Sequence, residues 1–282
     1  MKRKIISFLA TIVGLCMLAY PFVSEYLASR NNNQVIANYN KSLQENDYEA
    51  ILKRAYEYNK SIIQVQTTLT DPFMPFKDRQ DLEQEQEYLS QLNADGSGVM
   101  GVVDIPEIDT KLPIYHGTSA KVLEQGAGHL EGSSLPVGGK TTHSVITGHT
   151  GLTNQKLFTD LPSLKKGDKF FLYVYGKNMA YQVDSIDVIL PEDISKLIIS
   201  EGQDYVTLVT CTPYGINTHR LLVRGHRVPF KQSDVDKAKK DKRGSLWMQT
   251  YKRAVIIGII ILLIFFITKK LIETIRKPAK EE

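Results

Sequence analysis

Cysteine and tryptophan are nearly absent from this chain: there are two Cys and one Trp in 282 residues. A disulfide framework needs several pairs, so a stapled scaffold is excluded. Internal repeats and low-complexity tracts are missing too, which removes solenoids and tandem arrays. Net charge is small, +4. That is too little for a nucleic-acid footprint, so no nucleic acid is expected as a partner. The basic residues also crowd toward the two chain ends. Hydrophobic residues make up 42% and charged residues 23%, enough apolar material for a packed core and too much for global disorder.

Two long apolar runs are present. Ile5 to Val23 carries no charge and follows Lys2, Arg3 and Lys4. At about 1.5 Å per residue it nearly matches a hydrocarbon core of about 30 Å. Ala254 to Thr268 is shorter. Lys252, Arg253, Lys269 and Lys270 flank it and can snorkel, while Trp247 and Tyr251 suit an interface. Both read as transmembrane helices. The basic cluster before the first predicts a cytoplasmic N-terminus, so both termini are expected inside the cell membrane and residues of about 25–250 outside. A cleaved signal peptide is the competing reading of the first run, whose length exceeds the usual h-region of about 7–15 residues.

Cys16 belongs to the first apolar run. Cys211 is then the single thiol of the exported part, where an unpaired thiol is either reactive or a buried structural residue.

Residues 31–92 show helical spacing, as at Ile51, Ala55, Tyr58 and Ile62. Asp81 to Leu92 is a charged helix candidate. Between them Leu69 to Phe76 contains Pro72 and Pro75, which forbid regular structure, and also Phe73, Met74 and Phe76. So apolar an irregular segment should lie against something. From residue 98 on, short β-branched and aromatic runs alternate with Gly, Pro and Asp. Strands are predicted at 100–105, 110–115, 144–147, 169–175, 180–190, 205–211 and 220–228, with a short helix followed by a turn at 157–164. No long helical pattern separates most of them, which favours a mostly antiparallel closed sheet. Residues 232–243 read as a charged linker.

Cys211 ends one apolar strand and Arg220 begins the next. Paired as a hairpin, the two would be close. The cation would lower the thiol pKa or hold a substrate oxygen as charge develops on it. A histidine is needed as proton carrier. His149 lies just past a strand, between Gly148 and Gly151; His219 is the main rival. His143 lies at the wrong end of its strand and His226 well along its own. His116 and His129 read as hydrogen-bonding loop residues. No pair of histidines has the carboxylate or thiol company that a metal site requires, and no cofactor is expected.

Thr207-Leu-Val-Thr-Cys211 with Arg220 nine positions on resembles the sortase signature TLxTC…R, and Thr147-Gly-His149 resembles the family's histidine loop. The likeness covers about residues 98–230. Asp71-Pro-Phe73 looks like the lid motif of class C, pilin-polymerising sortases, in which a second transmembrane helix is also typical. Leu112 to Gly117 and Gly126 to Gly132 are similar in the same subgroup. The resemblance implies a mainly β fold, a closed eight-stranded sortase-type barrel with N-terminal helices and a lid. Its expected catalytic residues are His149, Cys211 and Arg220. Asp71 would pair with the arginine and Phe73 would cover the cysteine. The implied reaction cleaves an LPxTG-like sorting signal between Thr and Gly through a Cys211 thioester. Acceptance by a lysine of the next pilin subunit would build covalent pili; anchoring of surface proteins to peptidoglycan is the alternative. Implied partners are pilin or surface-protein substrates, the acceptor lysine and membrane lipid. The expected divisions are a membrane anchor (1–24), a helical region with the lid at 71–73 (25–97), the barrel (98–230), a linker (231–252), a second membrane helix (253–272) and a cytoplasmic tail (273–282). With pKa values of about 8.5 for Cys and 6.5 for His, an uncoupled thiolate–imidazolium pair is only about 1% populated near neutrality.

Overall fold

The β-branched and aromatic runs between residues 99 and 228 close on themselves. A computed structural model describes residues 2–43, 48–65, 69–73, 82–152 and 155–275. Its eight strands are β1 (Val99–Ile105), β2 (Thr110–His116), β3 (Ala127–His129), β4 (Thr142–Thr147), β5 (Lys169–Val174), β6 (Lys177–Ile189), β7 (Asp204–Thr212) and β8 (His219–Val228). They form a closed barrel in the order β1-β2-β3-β4-β7-β8-β6-β5. Most neighbours are antiparallel, but β2–β3 and β4–β7 are parallel. Closure removes the unpaired edges that an open sheet would present.

Several elements differ from the sequence expectation. β3 went unseen because three residues, two of them small, make no alternating apolar pattern. The expected helix at 157–164 is one 3-10 turn, Leu161–Ser163. The stretch expected as a linker folds as a helix, α5 by chain order (Gln232–Lys240). Val235 and Ala238, three apart, give it one small buried stripe, too narrow to register in a run of charges. Lys169 pairs with Asp234 at 2.6 Å, and Arg243 donates to Asp168 at 2.7 Å. This segment is therefore fastened to the barrel.

Helix α1 (Lys2–Ser42) does not stop near residue 24. Asn32, Ile36 and Tyr39 on its later turns are buried. Tyr39 donates to the Met100 carbonyl at 3.4 Å and accepts from Tyr175 N at 2.8 Å. Glu25 accepts from Lys156 N at 2.7 Å. From about Glu25 onward the helix thus rests on the barrel. Helix α2 (Tyr48–Val65) buries Ile51, Ala55, Asn59 and Ile62, one face of a 3.6-residue repeat. Among the described residues this unit also holds the α-helices α3 (Leu82–Ser90) and α4 (Ala120–Leu123). The chain divides after Arg243. The second unit holds α6 (Leu246–Ile275). Thr11–Ser42 and Met248–Ile272 are both long and apolar enough to cross a membrane.

Candidate active site

Topology decides which side chains meet. β4 and β7 are parallel neighbours with Thr147 beside Val209, so the residues after β4 and those ending β7 share one rim. β8 returns antiparallel, with Cys211 directly opposite Arg220. Three adjacent strands therefore bring His149, Cys211 and Arg220 to the same rim. The histidine loop is held from below. Gly148 N donates to the Val209 carbonyl at 3.0 Å, and the Thr210 hydroxyl donates to the Gly148 carbonyl at 2.7 Å. A Cβ on Gly148 would lie 2.7 Å from the Phe158 ring, so the loop can pass there only as glycine.

The described part of the irregular segment, residues 69–73, lies across this rim. Asp71 takes both arms of the Arg220 fork: Nε donates to Oδ1 at 2.8 Å and Nη2 to Oδ2 at 2.6 Å. The Arg220 and Asp71 side chains are only 11% and 4% exposed, so the pair is held out of water. Arg220 Nη1 donates to the carbonyls of Asn217 (3.1 Å) and His219 (3.2 Å). The Phe73 ring lies 5.0 Å from the Arg220 guanidinium carbon and 5.6 Å from the His149 ring centre. It packs, with Leu69, on a small apolar cluster of Val145, Val209 and Leu222. Phe73 thus bridges the two residues that flank Cys211, which is buried. Met74 and Phe76 lie outside the described residues.

The electrostatics favour neutral forms. Burial pushes the Cys211 thiol up; Arg220 opposes this and Asp71 adds to it. Burial pushes His149 down, and Glu124 partly offsets that. Among the described residues the His149 ring makes no side-chain hydrogen bond. In this closed arrangement the thiolate–imidazolium pair is still rarer than the reference values imply.

The other histidines are occupied elsewhere. His143 lies at the far end of β4, between the Ile198 carbonyl (3.0 Å) and the Thr207 hydroxyl (2.7 Å). His129 sits between the Tyr88 hydroxyl (3.0 Å) and the Ser134 carbonyl (2.9 Å). His116 faces the carbonyls of Gly98 and Gln91. These last two bond as expected, but from strands rather than loops. His226 lies 3.6 Å from Asp184. His219 does share the active rim, opposite Thr212, and meets the Thr218 hydroxyl at 2.9 Å. Sequence reasoning missed Glu124. Its nearness to His149 depends on the pairing of the unseen β3 with β4, and nothing local announces it.

A closed barrel carrying Cys, His and Arg on one rim defines a class of cysteine enzyme, and the comparisons identify it. The family model described as "Sortase domain" matches residues 103–228. Sortase A of Bacillus anthracis is 26% identical over 228 residues, 81% of this chain and 95% of that protein. The crystal structure of sortase C1 from Streptococcus agalactiae is 48% identical, with a TM-score of 0.63, and the match covers 70% of this chain and all of that one. A lid mutant of sortase A from Corynebacterium diphtheriae is 43% identical, with a TM-score of 0.59, over 67% of this chain and 97% of that one. The chain belongs to the sortase family, whose members are transpeptidases. Its structural neighbours include class C sortases.

Proposed function

We propose that this protein polymerises pilins, with Cys211 as its acyl-carrying nucleophile. In the first step the Cys211 thiol passes its proton to His149, and Sγ attacks the carbonyl of an LPxTG-like sorting signal. The new S–C bond replaces the Thr–Gly C–N bond, and His149 gives its proton to the departing amine. Arg220 holds the carbonyl oxygen as it gains negative charge. In the second step a lysine amine of the next pilin subunit attacks the thioester. A C–N bond forms, the C–S bond breaks, and His149 carries the amine proton away. The observation that carries this reading is the pairing of Cys211 with Arg220 across the β7–β8 hairpin, closed over by Asp71.

The segment 69–73 acts as a lid in the resting enzyme. It occupies the guanidinium that substrate needs and excludes water from the thiol. Its hold is weak in net terms. Opening returns two desolvated charges to water, and hydration offsets much of the lost Coulomb attraction. A strong substrate contact with Arg220 can therefore displace Asp71. The lid mutant among the neighbours is described by that word and supports this use of the segment.

The membrane reading follows from the two apolar helices. With both termini cytoplasmic, the barrel faces the outside, where sorting signals arrive on tethered substrates. Tethering raises effective concentration and suits an enzyme whose reactive ion pair is scarce. Lipid is then a constant neighbour of both helices. The second reading is anchoring of surface proteins to cell-wall peptidoglycan, which membership of the sortase family supports equally. One experiment separates the two. Full-length enzyme is incubated with pilin, and Cys211 acylation is followed by mass spectrometry. A ladder of isopeptide-linked polymers is expected. Acylation followed by transfer only to a peptidoglycan-like amine would replace polymerisation with anchoring, and an absence of acyl-enzyme would overturn both.

A further inference from the structure

The two substrates of a transpeptidase must reach one thioester without colliding, and the rim has a second charged side that the mechanism above does not use. β3 runs antiparallel to β4, with Gly128 opposite Thr147. The residues just before β3 therefore share a rim with the residues just after β4. Glu124, the C-cap of α4, stands there, three residues before β3. A side chain from beyond the histidine loop ties the two loops together: Gln155 Nε2 donates to the Glu124 carbonyl at 2.6 Å. The approach to β3 is tightly packed as well. A Cβ on Gly128 would lie 2.4 Å from the Gly117 carbonyl oxygen and 3.0 Å from Leu123, so α4 and its cap are set closely against the barrel. The Glu124 side chain itself is exposed, and it forms no ion pair among the described residues. Lys121 lies three residues before it on the same short helix.

The rim therefore reads, strand by strand, Glu124, His149, Cys211, Arg220, along the barrel order β3-β4-β7-β8. It carries a carboxylate at the β3 side and, once Asp71 leaves it, the Arg220 guanidinium at the β8 side. The donor carbonyl, which becomes an oxyanion, belongs at the positive end. The acceptor arrives as a lysine ammonium, since its ordinary pKa is about 10.4. It must give one proton to water before it can attack, and His149 takes the second as the C–N bond forms.

We infer that Glu124 is an acceptor-binding residue: its carboxylate draws the incoming lysine ammonium to the His149 side of the thioester, so that donor and acceptor enter from opposite sides of the rim. The inference rests on the Cys211–His149 transpeptidase reading and adds no covalent step to it. Because Glu124 is exposed, water and salt weaken its field, so the effect is one of capture and is modest.

The test uses the full-length chain with Glu124→Gln, Glu124→Asp and Glu124→Lys. Acyl-enzyme is formed on Cys211 with a sorting-signal peptide, and its formation rate is measured separately from its discharge. Discharge is then followed with a lysine peptide, a cation, and with hydroxylamine, which is uncharged at neutral pH. Glu124→Gln is expected to slow capture of the lysine peptide about threefold to tenfold at low salt. Glu124→Lys should slow it further, Glu124→Asp should restore it, and added salt should shrink the difference. Acylation and the hydroxylamine rate, which feel Glu124 only through His149, should fall clearly less than capture of the lysine peptide. Equal losses with both acceptors, or no loss with either, would overturn the role of Glu124 while leaving the transpeptidase intact. An enzyme that forms no acyl-Cys211 at all would remove the reading beneath it, and the inference with it.

Discussion

Strand β4 carries a histidine at each end, and the two ends are built for opposite purposes. His143 is almost fully buried, and both ring nitrogens have partners. Burial holds its pKa down at about 4. His149 is one strand-length away on a loop between glycines. Its ring makes no side-chain hydrogen bond among the described residues and leans on Phe73. Burial lowers its pKa too, but it has no partner to lock its tautomer. A saturated imidazole stiffens a fold; an unsaturated one beside a thiol is free to move a proton. If His149 is the proton carrier proposed above, the two histidines are told apart by the hydrogen bonds each already spends at rest, and residue type does not separate them.

The largest effects should fall at the rim. Cys211→Ala is expected to abolish acyl-enzyme in intact-protein mass spectra. His149→Ala should lower the transpeptidation rate by about 10²–10⁴-fold with little change in thermal stability. If His219→Ala gave the larger loss instead, the roles of the two rim histidines would have to be exchanged.

At the other end the expectation reverses. His143→Ala leaves the Thr207 hydroxyl without this partner and opens a void, so it should cost about 2–4 kcal/mol of stability. Cys211 acylation in the surviving folded protein should stay within about threefold of the parent. Chemical denaturation of the full-length chain in detergent measures the first, and peptide acylation the second. A variant of parental stability would show that His143 is not the anchor its bonds imply.

The same residue predicts an acid limb. The folded pKa of His143 is about 4, against about 6.5 in the unfolded chain. Between these values the unfolded chain holds a proton that the folded one lacks. The stability from neutral His143 is therefore complete above about pH 6.5 and is lost as pH falls toward 4, at no more than about 1.4 kcal/mol per pH unit. His129, also near 4, adds a parallel loss. Removing the imidazole of His143 should flatten this slope, and an unchanged slope would contradict the assignment.

The smallest expected effect concerns the lid. Asp71→Ala frees Arg220 and removes a negative charge from beside the thiol. Alkylation of Cys211 at neutral pH should speed up about threefold to tenfold, and the alkylation midpoint should move to lower pH. The sign follows from the shift itself: Asp71 is one cause of the raised thiol pKa, and Arg220 opposes it. Equal alkylation rates in variant and parent would mean that the segment does not gate the thiol.

Sequence alone determined the pieces that are local. Apolar runs of sufficient length, alternation in the strands and the hairpin-like spacing of Cys211 and Arg220 are carried by neighbours in the chain, so they are legible without coordinates. The resemblance added Asp71 and Phe73, which composition would have left as an ordinary packed loop. What the tertiary structure alone decided depends on pairing between distant segments. The three-residue β3 has no pattern of its own, yet it closes the barrel and sets Glu124 beside the histidine loop. The two apolar positions of α5 become a docked helix only against the barrel wall. Burial pushes the thiol pKa of Cys211, the odd thiol of the sequence, upward, and Asp71, about 140 residues away in the chain, adds to it, beyond the reach of any local rule.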